Sequence, residues 1–174
     1  YVQVYYHQTL GKDTLWFNCP EAGHITSAAD AESVTEMILY SRKSAMRIMS
    51  FLKERFPGFE EAYIQSFADI PGIRESYRLD GEYIMTEKDI EARCRFEDAV
   101  AQSAYPIDIH NEKNLVLIHM DPGEYYEIPY RCMLPREVDN LLVAGRCVSA
   151  TFAAQSSMRI QLTCMALGEA AGIA

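Results

Sequence analysis

The sequence has no apolar run near the roughly 18–20 residues that a membrane-spanning helix needs, so no membrane partner is expected. Basic residues are scarce. Sixteen Lys and Arg stand against twenty-five Asp and Glu, a net charge of −9, so no basic stripe is available to neutralise nucleic-acid phosphates. The five cysteines (Cys19, Cys94, Cys132, Cys147, Cys164) contain no C-x-x-C. Neither a disulfide framework nor a zinc knuckle is indicated, and no metal site is expected. Buried, reduced thiols are the expectation, which points to a cytoplasmic setting; a start at Tyr1 rather than Met leaves a periplasmic one open. Internal repeats, low-complexity tracts and obvious linkers are also missing.

What is present is organised around the closing stretch, 138–174. Leu141–Ala144 reads as a buried strand, Gly145 as a turn, and the residues from about Ser157 as a helix. Ala166, Gly168, Ala170, Ala171 and Gly172 give that helix so little side chain that another segment or a ligand is expected very close to it. With no polar tail at Ala174, the chain is expected to be a piece of a longer protein.

Tyr1–Leu10 and Leu15–Phe17, rich in aromatic and β-branched residues, predict two strands and a hairpin. Residues 31–55 predict the strongest helix, opened by Ser27 or Asp30, with Val34, Met37, Ile38, Ala45, Ile48, Met49 and Leu52 on one stripe. A short helix is expected over 59–65. From Ile73 to Tyr83 the chain should be extended, with Arg74, Ser76 and Arg78 on one face. Those groups suit an anionic ligand, or else carboxylates of a neighbouring element. Thr86-x-x-Asp89 predicts a helix start, with the helix running to about Ser103. Asp108 and His110, two apart on an extended segment, form either an oriented general base or a surface hydrogen bond. Residues 115–120 predict a strand, and 124–134 an edge or lining strand marked by Pro129. Strands and helices without regular βαβ alternation give the class α+β, a mixed sheet with flanking helices.

Four segments carry a resemblance. They are Gly72-Ile73-Arg74-Glu75-Ser76 with Gly81-Glu82-Tyr83; Pro106-Ile107-Asp108-Ile109-His110; Ile128-Pro129-Tyr130-Arg131 with Leu134-Pro135; and the block Asp139–Cys147, Ser149-Ala150-Thr151, Arg159, Thr163-Cys164 and Gly168-x-Ala170-Ala171-Gly172. Together they make the chain similar to the C-terminal portion of bacterial FAD-dependent oxidoreductases of the glutathione-reductase-like class, some members of which are labelled xanthan lyase. The resemblance implies a substrate-side region, 1–134, followed by the last strand, loop and helix of an FAD-binding Rossmann-like domain, 135–174. It implies cofactor binding by Arg131, Gly145, Arg146, Cys147, Ser149, Ala150, Thr151, Arg159, Ile160, Gln161 and Thr163. Arg74, His110 and Tyr130 become catalytic candidates on the substrate or flavin face.

The pattern also departs from that family. Tyr77 stands where a second Arg is usual, Leu162 where Pro is frequent, and Phe152 where many members carry His. No G-x-G-x-x-G follows a strand, so the half that holds the adenosine and most of the pyrophosphate is missing. The implied partners are that half, a small-molecule or carbohydrate substrate, and a second copy through the exposed FAD-domain surface. This chain alone is expected to bind FAD poorly and to lack oxidoreductase activity. Two rival readings use the same residues: a carbohydrate-binding module stacking sugars on Tyr125, Tyr126 and Tyr130, and a polysaccharide lyase built on Asp108, His110 and Tyr130.

Overall fold

Alternating aromatic residues at the start of the chain form a hairpin, β1 (Tyr5–Gln8) with β2 (Leu15–Asn18), in which Tyr6 faces Phe17 and His7 faces Trp16. The structure is a computed structural model that describes residues 5–9, 11, 13–20, 27–110 and 115–174, with backbone alone at His110 and 115–117. The rest of the first expected strand, 1–4 and 10, lies outside the described residues. Helix α1 spans Ala31–Arg55, and the Asp30 carboxylate accepts the Ser33 N–H at 2.8 Å as its N-cap. Its covered side is the predicted stripe, with Met37 and Leu52 buried and Val34, Ile38, Ala45, Ile48 and Met49 partly so. The short helix expected over 59–65 is a turn followed by irregular chain.

The chain divides into two compact units, Tyr1–Ile73 and Arg74–Ala174. The second holds a continuous core that includes Met85, Ile90, Ile107, Ile128, Met158 and Leu167. It opens with an irregular segment rather than a strand. Arg78 pairs with Glu75, three residues back, which strand alternation would place on the opposite face. Gly81 is fixed here by space: an added Cβ would lie 2.7 Å from the Ser149 Cβ. Helix α2 (Glu87–Glu91) begins with the expected capping box of Thr86 and Asp89. It stops early, because Arg93 turns to φ +55° and its guanidinium takes the carbonyls of Ile90 and Glu91 at 2.9 Å. Residues expected to continue it instead form β3 (Ala99–Ser103), paired with β6 (Tyr126–Pro129). The expected extended segments at 104–110 and 115–120 form β4 (Ile107–His110) and β5 (Leu115–Ile118), a second ladder.

Helices and strands are thus intermixed, but no single mixed sheet forms among the described residues. Three separate two-stranded ladders occur, each antiparallel. The segment Leu141–Ala144 is not a strand; within it Val143 N–H donates to the Met133 carbonyl at 2.9 Å. A strand needs a neighbour to accept its ladder bonds, and none of the described strands pairs with it. The closing helix is two helices. Helix α3 (Phe152–Met158) packs on β4, and α4 (Gln161–Ile173) packs on β3, with a break where Ile160 is extended. No described helix is long and apolar enough to cross a membrane.

Candidate functional site

Helix α3 carries three polar side chains, Gln155, Ser156 and Ser157, all buried. Burying such groups is tolerated only when each finds a partner, and the partners define the site. Gln155, 2% exposed, donates from Nε2 to the carbonyl oxygens of Arg74 (3.2 Å) and Arg146 (3.3 Å). One amide therefore pins together two chain segments that each carry a guanidinium. Ser156 Oγ accepts the Asp108 N–H at 3.1 Å. Just past α3, Arg159 reaches the Asp108 carboxylate at 3.5 Å and the Asp108 carbonyl at 3.3 Å.

Arg74, Arg146 and Arg159 are brought together as a result. Burial pushes the Arg159 pKa down, and the charges of Arg74 and Arg146 push it the same way, opposed by Asp108. Arg159 therefore feels two further cations and one carboxylate, in a chain of net charge −9. The first turn of α4 begins just after Arg159. The N-cap of α4, Ile160, offers no capping side chain, and no acidic residue occupies the first turn; unpaired N–H groups and the positive end of the helix dipole favour negative charge there. Gly145 sits at φ +87°, a conformation that favours glycine, and nothing lies within 4 Å of where a Cβ would be.

The loop that follows is held by the body of the unit. Leu79 N–H donates to the Cys147 carbonyl, Ser149 N–H to Cys132, Met85 N–H to Ser149, and Thr151 N–H to Met85. Ser149 is fully buried and accepts the Gly81 N–H at 3.1 Å. Thr151 caps α3 by accepting the Ala154 N–H, and its hydroxyl donates to Glu87 at 3.0 Å. Thr163 is buried and donates to Ser103 at 3.2 Å. In this structure the side chains of Ser149, Thr151 and Thr163 are therefore spent on packing and caps, Ala150 is buried, and the exposed members of the expected set are Arg131, Arg146, Cys147 and Gln161.

Other candidates lie apart from this cluster. Arg131 makes a two-pronged pair with Asp98, Nε at 2.9 Å and Nη2 at 3.3 Å, and its guanidinium lies 5.1 Å from the Tyr83 ring centroid. Tyr130 lines a shallow groove with Val100, Ala166 and Glu169. The His110 side chain lies outside the described residues, and Asp108 is engaged with Arg159. The aromatic run does not form a sugar platform: Tyr126 is fully buried, its hydroxyl 2.7 Å from Ser157, and Tyr125 is covered by the Arg95 guanidinium at 3.5 Å. Because Ser157 spends its proton on the Tyr105 carbonyl (2.6 Å), Tyr126 is the donor of that pair. The expectation of buried thiols holds for Cys132 alone, whose pKa burial pushes up to about 12; Cys147 is exposed. Sequence reasoning passed over Gln155. The available signal was a lone amide in an otherwise small and apolar helix.

The arrangement can hold a phosphate, or a carbonyl group that gains negative charge. Among the described residues no cluster of three or more metal-ligating side chains occurs. No curated protein and no solved structure shows significant similarity to the chain. The model of one family, described as FAD dependent oxidoreductase, matches residues 2–174, and with nearly the whole sequence inside that match the chain belongs to the FAD dependent oxidoreductase family.

Proposed function

We propose that this chain is the C-terminal portion of a flavin-dependent oxidoreductase of the glutathione-reductase-like class, and that Arg74, Arg146, Arg159 and the start of α4 hold an anionic or electron-rich edge of FAD. The residues fit the group. Gly145 leaves open space toward the loop, the uncapped first turn of α4 presents N–H donors, and three guanidiniums supply positive charge. FAD, when bound, accepts a hydride equivalent from the substrate, here a small molecule or a carbohydrate. This chain's residues bind and orient: Gln155 fixes the backbones of Arg74 and Arg146, and Asp108 holds Arg159 in place. Negative charge that develops near the start of α4 is stabilised by the helix dipole, worth about 0.3–2 kcal/mol. That is enough to tune a reduction potential and too little to anchor a cofactor.

The outer face of α4 supports the rest of the reading. Leu162, Met165 and Ile173 are 75%, 69% and 79% exposed, and Gly168 and Gly172 open onto empty space. A helix apolar on all sides is normally buried, so this face would pack against the half of the FAD domain that carries the G-x-G-x-x-G turn. Without that half, the chain holds FAD weakly and has no redox activity.

The observation that carries the proposal is that Gln155 holds the backbones of Arg74 and Arg146 together one helical turn before Arg159, which leads into the start of α4. Fluorescence titration of the chain with FAD, compared with Arg74→Ala, Arg146→Ala and Arg159→Ala, tests it. Weak binding that falls further in each variant is expected. FAD affinity unchanged in all three variants would remove the site, and a protein that purifies with stoichiometric flavin would overturn the claim of weak binding.

A further inference from the structure

The irregular segment that opens the second unit is pinned to the loop 147–151 by its backbone. Leu79 N–H donates to the Cys147 carbonyl at 2.8 Å, Gly81 N–H to the Ser149 hydroxyl at 3.1 Å, and Thr151 N–H to the Met85 carbonyl at 2.8 Å. The two segments line an open cleft of about 420 Å³, whose walls include Ser76, Tyr77, Arg78, Asp80, Ile84 and Thr151. Small-molecule sites occupy about 300–1,000 Å³. Tyr77 is 77% exposed and Ile84 42% exposed, so an aromatic ring and a branched apolar side chain stand at a polar cleft. Neither the Ser76 hydroxyl nor the Tyr77 phenol has a hydrogen-bond partner among the described residues. The two charged groups are each balanced: Arg78 is paired with Glu75, and Asp80 with Arg136 at 3.3 Å. Arg136 is in turn tied to the Gly81 carbonyl at 2.8 Å.

We propose that this cleft binds a neutral sugar ring, with Tyr77 stacked on the C–H face of that ring. The Tyr77 side chain offers a flat apolar surface with a polar rim. An ionic ligand finds no unbalanced charge to meet, and a phosphate is opposed by Asp80. The paired ions keep spare acceptor and donor positions, so Asp80 and Arg78 can take ring hydroxyls without giving up their partners. Ser76 adds a hydroxyl that both donates and accepts. A purely apolar ligand would cover these groups and leave them unsatisfied, at a cost. The backbone on both sides of the cleft is already hydrogen-bonded, so little ordering accompanies binding. The site shares no residue with the arginines and the start of α4 assigned to FAD. On that reading a sugar held beside Ala150 and Thr151 is the substrate, but the site itself does not depend on it.

The test is titration of the chain, without flavin, against the methyl pyranosides of glucose, galactose, mannose and xylose, read by saturation-transfer NMR and calorimetry. Binding of at least one is expected, with saturation strongest at the ring C–H protons. Tyr77→Ala should weaken it by about tenfold, the scale of one lost stacking contact, and Tyr77→Phe should keep most of the affinity. Tyr77 is mostly exposed, so both variants should melt at the temperature of the unsubstituted chain. Binding of none of the four glycosides, or binding that Tyr77→Ala leaves unchanged, would overturn the proposal. So would tighter binding of glucose 6-phosphate or glucuronate than of methyl glucoside, which would mark the cleft as an anion site. With no flavin present, a failed sugar titration leaves the FAD reading standing. Absence of FAD binding likewise leaves a positive sugar titration standing.

Discussion

Gln155 donates to the carbonyl oxygen of Arg74 at 3.2 Å across eighty-one residues of chain, and the same Nε2 reaches the Arg146 carbonyl. Gln155→Leu keeps the volume and removes both bonds, leaving two carbonyl oxygens without that donor. A cost of about 1–3 kcal/mol follows from the desolvation of the abandoned groups. Chemical denaturation should show it as a lower midpoint. Unchanged stability would mean that water replaces the amide and that the two arginines are placed by other forces.

Asp108 is the acidic member of the arginine cluster, 3.5 Å from Arg159, and both side chains are only 15% exposed. Asp108→Asn keeps the shape and removes a negative charge. The guanidiniums then face an incoming anion without that opposing charge, and affinity for pyrophosphate should rise by about fivefold at low salt, on the order of 1 kcal/mol. Raising the ionic strength should shrink the gain. Calorimetric titration of the two proteins at two salt concentrations measures it, and weaker binding in the variant would contradict the arrangement.

Periodicity made α1 legible to its ends, because a single amphipathic stripe of seven turns and an Asp cap leave few alternatives. The capping box at Thr86 was legible for the same local reason. What followed it was not: Cys94–Ser103 has acceptable helical spacing, but the left-handed turn at Arg93 and the pairing of β3 with β6 override propensity. Leu141–Ala144 reads as a strand from composition, yet strand structure depends on a neighbour, and its described surroundings offer none. The arginines of the site were visible singly. Their convergence was not, because it depends on Gln155, whose side chain links positions far apart in sequence.

Arg131 hydrogen-bonds the Asp98 carboxylate and holds its pKa below the ordinary carboxylate value. A depressed folded pKa means that the stabilisation is present above the unfolded carboxylate pKa, about 3.9, and is lost as pH falls through the folded value. Both side chains are substantially exposed, so solvent screens the pair and the effect is modest. Melting temperature measured against pH should therefore fall less steeply below about pH 4 in Asp98→Asn than in the unsubstituted chain. The two curves should differ most at neutral pH and converge in acid. A constant offset at every pH would assign the difference to packing instead of charge.

Leu162 and Leu167 stand five residues apart on α4 and face opposite surroundings, 75% and 0% exposed. Truncating Leu167 to Ala should cost about 2–5 kcal/mol, because the core that includes Met158 and Ile128 closes poorly over the cavity. Leu162→Ala should stay within about 0.5 kcal/mol, as for other surface positions. The contrast separates two descriptions of the helix. If α4 were packed on all sides within this chain, both truncations would cost comparable amounts. If its outer face is made for the remainder of an FAD domain, Leu162→Ala is silent here and becomes destabilising only in the longer protein. Denaturation of the two variants in this chain, then of Leu162→Ala in the longer protein, decides between them.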